Sequence, residues 1–264
     1  MKRGLPEKRR IPNVKKVILV SSAKGGVGKS TLSINLALAL ARQGLHTGIL
    51  DADIYGPSIP TLLNLEDHSP ELTPTSTLLP LTSYGLSAIS MGFLVPQHKP
   101  IAWRGLLIQK ALNQLLFEVS WPSTLDVLVI DLPPGTGDVQ LTIMQSVILD
   151  GAIVVSTPQT LALRDVQRGV AMMGTMGVEV LGLVQNMSGF VCGGCGMRHE
   201  IFGSDGVKKI CGELDVPFLG EIPLNASICA DADVGKPTMV ASPESPSAEA
   251  FMAVAEKVRR AIDI

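Results

Sequence analysis

Short, almost uninterrupted apolar runs recur along the chain and alternate with segments whose apolar residues follow helical spacing. These runs end at Val20, Asp51, Asp131 and Ser156, and the last ends near Asn186. A strand buried on both faces shows no polar side, and helical segments between such strands fit right-handed crossovers. The pattern therefore predicts an α/β fold with a doubly wound, mainly parallel sheet.

Two segments interrupt this alternation. Residues 54–103 are rich in proline and predict an insertion of loops around one short strand at 86–91, and residues 187–203 form an excursion after a strand end. Apolar residues at helical spacing after Ser247 predict a final helix that packs on the sheet. We therefore expect a single domain over residues 17–264.

Charge separates a short arm from the rest of the chain. Residues 1–16 carry a net charge of +6, although the whole chain carries −2. Such an arm is most often a solvated terminus or the remainder of a processed targeting sequence, and contact with nucleic acid or anionic lipid is the less common alternative. Apolar runs stay well short of the roughly 18 residues of a membrane span. We expect a soluble protein with no nucleic-acid partner and no stable membrane insertion.

The first strand leads into a glycine-rich loop, SSAKGGVGKST at 21–31. Glycines between a strand and a helix direct backbone N–H groups at an anion, and the helix dipole adds to the attraction. The sequence nearly fits the P-loop pattern G-x-x-x-x-G-K-[ST], but Ala23 replaces its first glycine. Lys29 would reach the β- and γ-phosphates, and the Ser30 hydroxyl would join a Mg²⁺ shell. The predicted phosphate-binding residues are Gly25, Gly26, Val27, Gly28, Lys29, Ser30 and Thr31.

Three aspartates follow predicted strands at the edge where a doubly wound sheet binds ligands. Asp131 opens DLPPGTGD, as expected of a Walker B acid that holds Mg²⁺ through water. Asp53 is predicted to orient or deprotonate the attacking water and to contribute to the magnesium site, and Asp51 competes for that role. Each aspartate taken alone would also suit the cap of a turn.

Two of the four cysteines, Cys192 and Cys195, form a C-x-x-C. Two thiolates fill a four-thiolate shell only together with a second chain, so a dimer would share a [4Fe–4S] cluster or a Zn–Cys₄ site on its two-fold axis. A thioredoxin-like redox pair is the third possibility. Cys211 and Cys229 are predicted to be small buried residues, and His199 a solvated loop residue.

Several motifs resemble those of a known family, and they occur in the same order along the chain. They are KGGVGKS, DADIYGPS at 51–58, WRG at 103–105, DLPPGTGDVQLT at 131–142, TPQ at 157–159, QNMS at 185–188 and the C-x-x-C followed by IFG. Together they resemble the Mrp or ApbC-like iron–sulfur cluster carriers, which are P-loop ATPases with a deviant Walker A motif in the MinD-like superfamily. The resemblance extends from about Val17 to Ile264.

This resemblance implies a slow ATPase that uses ATP and Mg²⁺ and that carries a [4Fe–4S] cluster between two subunits to apo-proteins. Lys24 matches the signature lysine, which crosses the dimer interface to the partner's nucleotide and acts with Lys29 and Asp53 in catalysis. Asn186 would contact the adenine edge, because its amide offers both a donor and an acceptor.

Within this family, the chain resembles the mitochondrial branch that assembles respiratory complex I. The residues that resemble this branch are the basic arm, the segment 103–121 and SPES at 242–245. This implies a homodimer in the mitochondrial matrix that delivers to complex I subunits, with the cytoplasm as the alternative location. Two other functions stay open: a MinD/ParA-like positioning ATPase, and a nucleotide-stabilised scaffold with a structural zinc site. The mixed charges of the last helix argue against the basic lipid anchor of a positioning ATPase.

Overall fold

The computed structural model of this chain describes residues 7–94 and 105–264. The first six residues of the predicted basic arm lie outside this range, and so do residues 103 and 104 of the WRG motif. The described residues form an eight-stranded sheet in the order β10-β7-β6-β1-β5-β2-β4-β3 and a separate two-stranded hairpin of β8 and β9. The strands are β1 Val14–Ser21, β2 Thr47–Asp51, β3 Leu81–Ser83, β4 Leu86–Ser90, β5 Leu125–Asp131, β6 Gly151–Ser156, β7 Val180–Gln185, β8 Phe190–Val191, β9 Arg198–His199 and β10 Phe218–Glu221.

The sheet is mainly parallel, as the apolar runs predict. Every pairing among its strands is parallel except that of β3 with β4, which is antiparallel. The predicted strand ends at Asp51, Asp131 and Ser156 coincide with the ends of β2, β5 and β6, and Asp51 lies beside Asp131 in the register. The carboxyl ends of these strands therefore meet at one edge.

Nine α-helices within the described ranges cover both faces of the sheet, and a 3₁₀ helix, Met91–Leu94, follows β4. The α-helices are α1 Lys29–Arg42, α2 Ile59–Leu62, α3 Gly105–Phe117, α4 Asp138–Ser146, α5 Thr160–Thr175, α6 Gly206–Leu214, α7 Ala226–Asp233, α8 Thr238–Ala241 and α9 Pro246–Ala261. Among them, none is both long and apolar enough to cross a lipid bilayer.

The buried residues form two cores, one on each face of the sheet. Val17 and Leu19 of β1 join the core with α3, α4, α5 and α6, whereas Ile18 and Val20 join the core with α1, α2 and α9. Neighbouring strand residues point to opposite faces, so a strand that is apolar at every position can bury both sides. This explains why the central strands are continuous apolar runs in the sequence.

The proline-rich segment differs from the prediction of an insertion of loops around one strand. It contributes β4, which pairs with β2 in the main sheet, and β3, which forms the sheet edge. It also contains the one-turn helix α2. The three-residue strand and the short helix are below the length at which periodicity shows in a sequence.

The boundary between the basic arm and the domain also needs correction. β1 begins at Val14, so that Lys15 and Lys16 belong to the strand, and Ile11 is buried. Arg9 donates its backbone N–H to the carbonyl of Ser146 at 2.8 Å, and its guanidinium lies 4.0 Å from the ring centre of Phe117. The described part of the arm is therefore attached to the domain at Arg9, Ile11 and Val14, although its side chains at Arg10 and Lys15 are exposed.

Candidate functional site

The glycine-rich loop connects the end of β1 to the start of α1 at the carboxyl edge of the sheet. Gly26 and Gly28 have φ of 80° and 82°, in the left-handed region that favours glycine. A Cβ on Gly28 would lie 2.1 Å from Nδ2 of Asn186, so a side chain is also excluded by contact. The loop therefore presents backbone N–H groups at the N-terminus of α1, which is the arrangement that binds phosphate.

Asp131 lies at the end of β5 under this loop and is fully buried. Its Oδ1 is 2.7 Å from Nζ of Lys29, and its Oδ2 accepts a hydrogen bond of 2.6 Å from Oγ of Ser30. Ser33 also donates to Oδ1, at 2.6 Å. The structure thus brings together three residues that the sequence predicted for phosphate and magnesium, and hydroxyl and carboxylate oxygens are the ligands that Mg²⁺ prefers.

Ser33 is a contact that the sequence reasoning missed. It lies one helical turn after Lys29, on a helix whose buried positions are mostly apolar, and it is fully buried. A buried hydroxyl needs a hydrogen-bond partner, so a serine at a position where the helical pattern predicts burial is a signal that could have identified it.

Asp51 and Asp53 have different surroundings. The Asp51 carboxylate is fully buried and accepts hydrogen bonds from the backbone N–H groups of Asp53, Ser58 and Ile59 and from the hydroxyl of Ser90. Burial and the nearby charge of Asp131 raise the pKa of Asp51 to about 7, against an ordinary 3.8. Asp51 therefore holds the turn that carries Asp53.

Asp53 is half-buried and lines the cavity beside the glycine-rich loop. Its Oδ1 accepts hydrogen bonds from the backbone N–H groups of Tyr55 and Gly56 at 3.1 and 3.2 Å. These contacts fix the carboxylate while it faces the cavity, as a water-orienting group requires. Of the two competing aspartates, Asp53 lines the cavity, whereas Asp51 is buried behind it.

The P-loop cavity has a volume of about 490 Å³ and is lined by the glycine-rich loop, Asp53, Ser58, Pro134 and Asn186. It is also lined by Leu224 and by Ile228 and Cys229 of α7. The prediction that Cys229 is buried is wrong, because α7 has no buried residue and Cys229 is exposed at the cavity. The volume lies within the range of cofactor sites, which are commonly about 300–1,000 Å³.

Asn186 connects the end of β7 to the glycine-rich loop. Its Nδ2 donates to the carbonyl of Val27 at 2.8 Å, and its backbone N–H donates to the carbonyl of Ser156. The residue also lines the cavity. Its side chain therefore holds the loop at the cavity, and the adenine contact stays a prediction.

Lys24 is exposed and lies outside the residues that line the P-loop cavity. It lines a smaller pocket of about 160 Å³ with Gln159, Met187 and Phe202. Its backbone carbonyl accepts a hydrogen bond from the hydroxyl of Ser22. The loop therefore presents its two lysines in different directions, Lys29 inward to Asp131 and Lys24 to the surface.

Cys192 and Cys195 lie in the turn of the cysteine hairpin, which we define as residues 190–199. The turn is closed by hydrogen bonds from Cys192 N–H to the Met197 carbonyl and from Gly196 N–H to the Cys192 carbonyl, at 2.9 and 2.8 Å. The N–H groups of Cys195 and Gly194 and the thiol of Cys195 lower the pKa of the Cys192 thiol. The turn thus favours the thiolate, which is the form that binds metal.

The other candidate ligands do not join this pair. In the part of the chain that the structure describes, no group of three or more His, Cys, Asp or Glu residues could hold a metal ion. His199 is exposed, with its ring 6.5 Å from that of Phe190, and Cys211 is buried, which raises the pKa of its thiol. His199 and Cys211 are therefore placed as the sequence predicts.

Comparison with known proteins gives a family and two close relatives. The family described as "ParA: NUBPL iron-transfer P-loop NTPase" matches residues 13–259. The chain is 48% identical over 262 residues to the iron-sulfur cluster transfer protein NUBPL of Mus musculus, with 98% of this chain and 82% of that protein covered. It is 49% identical over 248 residues to the iron-sulfur cluster carrier protein of Haemophilus influenzae, with 94% and 67% covered.

Two solved structures are similar in fold. A nucleotide-binding protein of Archaeoglobus fulgidus, in complex with ADP and with cobalt found in it, is 38% identical and has a TM-score of 0.78 over 90% of this chain and 93% of its own. The cell division ATPase MinD of Pyrococcus furiosus has a TM-score of 0.69 over 93% and 98% but is only 21% identical, so it shows the α/β fold alone.

Proposed function

This chain belongs to the NUBPL iron-transfer P-loop NTPases of the ParA family, and we propose that it is an ATP-binding carrier that delivers iron–sulfur clusters to apo-proteins. The observation that carries the proposal is the presence, in one chain, of a glycine-rich loop above the Lys29–Ser30–Asp131 cluster and of a turn that carries two cysteines. Relatives that are named as iron–sulfur cluster transfer or carrier proteins support it.

The residues of the P-loop cavity fit ATP and magnesium. The backbone N–H groups of residues 25–31 and the Lys29 ammonium would hold the phosphates, and Ser30 and Asp131 offer two oxygens that already lie 2.6 Å apart. When bound, Mg²⁺ would neutralise charge on the β- and γ-phosphates. Asp53 would orient or deprotonate the attacking water, and Asn186 would contact the adenine edge. Slow ATP hydrolysis is therefore part of the proposal.

The cysteine hairpin would hold the cargo together with a second copy of the chain. A [4Fe–4S] cluster takes four thiolates, and each chain offers Cys192 and Cys195 on an exposed turn. A two-fold axis would supply the other two thiolates, which makes the protein a homodimer in its loaded form. Lys24, which is directed away from its own cavity, would reach across that interface to the partner's nucleotide.

The recipients and the location follow from the same family. We propose apo-proteins that take up iron–sulfur clusters as the recipients, among them complex I subunits, and the mitochondrial matrix as the location. The resemblance of residues 103–121 and 242–245 to the mitochondrial branch supports both. A bacterial relative at similar identity makes the cytoplasm the alternative.

Iron and sulfide analysis of protein reconstituted without oxygen tests this function. We expect about two irons per chain, a dimer in sedimentation, and restored activity of an apo [4Fe–4S] enzyme that is mixed with the loaded protein. Cys192→Ala and Cys195→Ala should lose the iron and the metal-dependent dimer. Cys229→Ala is the matched control, because Cys229 is exposed, as Cys195 is, but lies outside the hairpin.

Three results would contradict the proposal in different ways. A monomer that keeps a full cluster would show that all ligands come from one chain. Stable zinc with no uptake of iron would indicate the structural scaffold. A cluster that never reaches the acceptor enzyme, combined with ATP-dependent binding to lipid vesicles or DNA, would indicate a positioning ATPase.

A further inference from the structure

A short segment lies between the P-loop cavity and the cysteine hairpin. Asn186 and Met187 face the glycine-rich loop, since Asn186 donates to Val27 and both residues line the cavity. Ser188 is buried on the other side, and Phe190 begins the hairpin. Met187 has φ of 53°, so the chain turns sharply between the two contacts. A displacement of the loop by a ligand would therefore reach Ser188 through only two residues.

The Ser188 hydroxyl makes hydrogen bonds with three side chains. It donates to Oε2 of Glu221 on β10 at 2.6 Å and accepts from Nε2 of Gln185 at 3.0 Å. A guanidinium nitrogen of Arg198 donates to it at 3.4 Å. The segment next to the cavity is thus connected to the hairpin strand β9 by side chains.

Arg198 is the main side-chain connection of the hairpin to the body of the protein. Its guanidinium pairs with Glu200 at 2.7 Å and with Glu221 at 3.4 Å. It also lies on the backbone of Gly189, where a Cβ would be 2.5 Å from Nε. Residues 193–201 are all exposed, and β8 and β9 have two residues each, so little apolar packing holds the hairpin. A few polar contacts can therefore determine its position.

We infer that Ser188, Glu221 and Arg198 form a positioning network that links nucleotide binding in the P-loop cavity to the metal affinity of the cysteine pair. A nucleotide that orders the loop also orders Asn186 and Met187. Through Ser188 and Arg198 the hairpin then loses freedom before metal binds, so the metal has less ordering left to impose. By linkage, metal on the cysteines raises the nucleotide affinity by the same factor.

This inference rests on the proposed function, because it needs both a nucleotide site and a thiolate metal site. The test uses Co²⁺ as a probe, since cobalt bound to thiolates has a charge-transfer absorption that Co²⁺ on oxygen ligands lacks. Reduced protein without oxygen is titrated with Co²⁺ in excess Mg²⁺, with and without ADP. We expect ADP to strengthen Co²⁺ binding in the wild type by about fivefold or more, the lower end of common coupling energies.

Two variants interrupt the network at different points, and one serves as a control. Ser188→Ala removes the shared hydroxyl, and Arg198→Gln removes the charge on the hairpin without touching the P-loop cavity. Each should still bind ADP and Co²⁺, but the effect of ADP should fall below about twofold. Arg198→Lys should keep part of it. Arg168→Gln is the control, because Arg168 is exposed and pairs with Asp165 on α5.

The outcomes separate the two proposals. Absence of the thiolate band, or of ADP binding, in the wild type would overturn the proposed function and this inference with it. Binding of both ligands with no effect of ADP on the Co²⁺ titration would overturn the inference alone. An undiminished effect in Arg198→Gln would show that the coupling does not run through the network, even if Ser188→Ala were too unstable to measure.

Discussion

The P-loop cavity and the cysteine hairpin are two sites of opposite construction in one chain. The cavity is built at the ends of central strands, and Asp131 beneath it is fully buried and bonded to Lys29, Ser30 and Ser33. The hairpin has two residues in each strand, and its turn is exposed. The fold of one chain supplies the residues of the first site, whereas the second site depends on the ligand and the further groups that bind to it.

This difference follows from what holds the residues of each site in place. Strand ends in a buried sheet are fixed by the surrounding core, so a charged side chain there can be held by neighbours at little further entropic cost. An exposed turn has no such support, and Cys192 and Cys195 are held by the hydrogen bonds of the turn. A site of this kind suits a group that must be picked up and released.

Loss of Lys29 should have the largest effect, and it should act directly on the cavity. Lys29→Ala removes the cation for the phosphates, and we expect nucleotide affinity to fall by about 100-fold or more, measured by calorimetry. The same variant should still bind Co²⁺ at the cysteine pair, but without the gain in affinity that ADP gives the wild type.

Lys24→Ala is the matched control, because Lys24 lies in the same loop but outside the cavity. It should keep nucleotide affinity and lose ATP turnover, since only its proposed role across the interface is removed. Equal loss of affinity in both variants would contradict this division. Chemical denaturation must accompany the test, because Lys29→Ala leaves Asp131 buried without its cation.

Asp53→Asn should have the next largest effect. The amide cannot accept a proton, so we expect ATP turnover to slow by about 100-fold while nucleotide affinity stays within a few-fold. Single-turnover kinetics with saturating ATP would measure it. Unchanged turnover would show that another group orients or deprotonates the attacking water. Iron content should be unaffected, because Asp53 belongs to the cavity.

Asn186→Ala should have a smaller and more selective effect. The variant loses the hydrogen bond to the Val27 carbonyl and the proposed contact with adenine, and we expect ATP to bind about tenfold more weakly, with less discrimination against GTP. Competition of the two nucleotides against a fluorescent analogue would measure it. An unchanged preference for ATP would show that Asn186 only holds the loop.

The sequence predicts the cavity side of the molecule better than the hairpin side. The apolar runs of β2, β5, β6 and β7 end within one residue of their predicted ends, because strands buried on both faces leave a clear pattern. β8, β9 and β10 have between two and four residues and carry no periodicity. Such elements form only because neighbouring strands and turns supply their partners.

The site residues show the same limit. The glycine-rich loop and Asp131 have spacings that follow from their chemistry, so they can be found in a sequence. Ser188, Glu221 and Arg198 are far apart along the chain, and only the fold brings them together. Cys229 was predicted to be buried because cysteine usually is, but its helix has no buried residue.

The smallest effect should be that of pH on the free energy of unfolding. It should again distinguish a buried residue of the cavity region, Asp51, from a residue at the surface. The raised pKa of Asp51 means that the folded state holds its proton more tightly than the unfolded state between about pH 4 and 7. The stability that this gives is complete below pH 4 and is lost as pH rises through 7. Asp51→Asn removes this loss. We therefore expect its free energy of unfolding, relative to wild type, to rise by on the order of 1 kcal/mol between pH 5 and 7, measured by urea denaturation.

Asp126 provides the opposite control on the surface. A hydrogen bond from Lys15 lowers the pKa of Asp126, so the stability it contributes is present above its ordinary pKa and is lost as pH falls. Asp126→Asn should therefore change the pH dependence only below about pH 4, with little effect between pH 5 and 7. If Asp51→Asn and wild type have parallel profiles from pH 5 to 7, the Asp51 carboxyl is ionised throughout, and its four donors outweigh its burial beside Asp131.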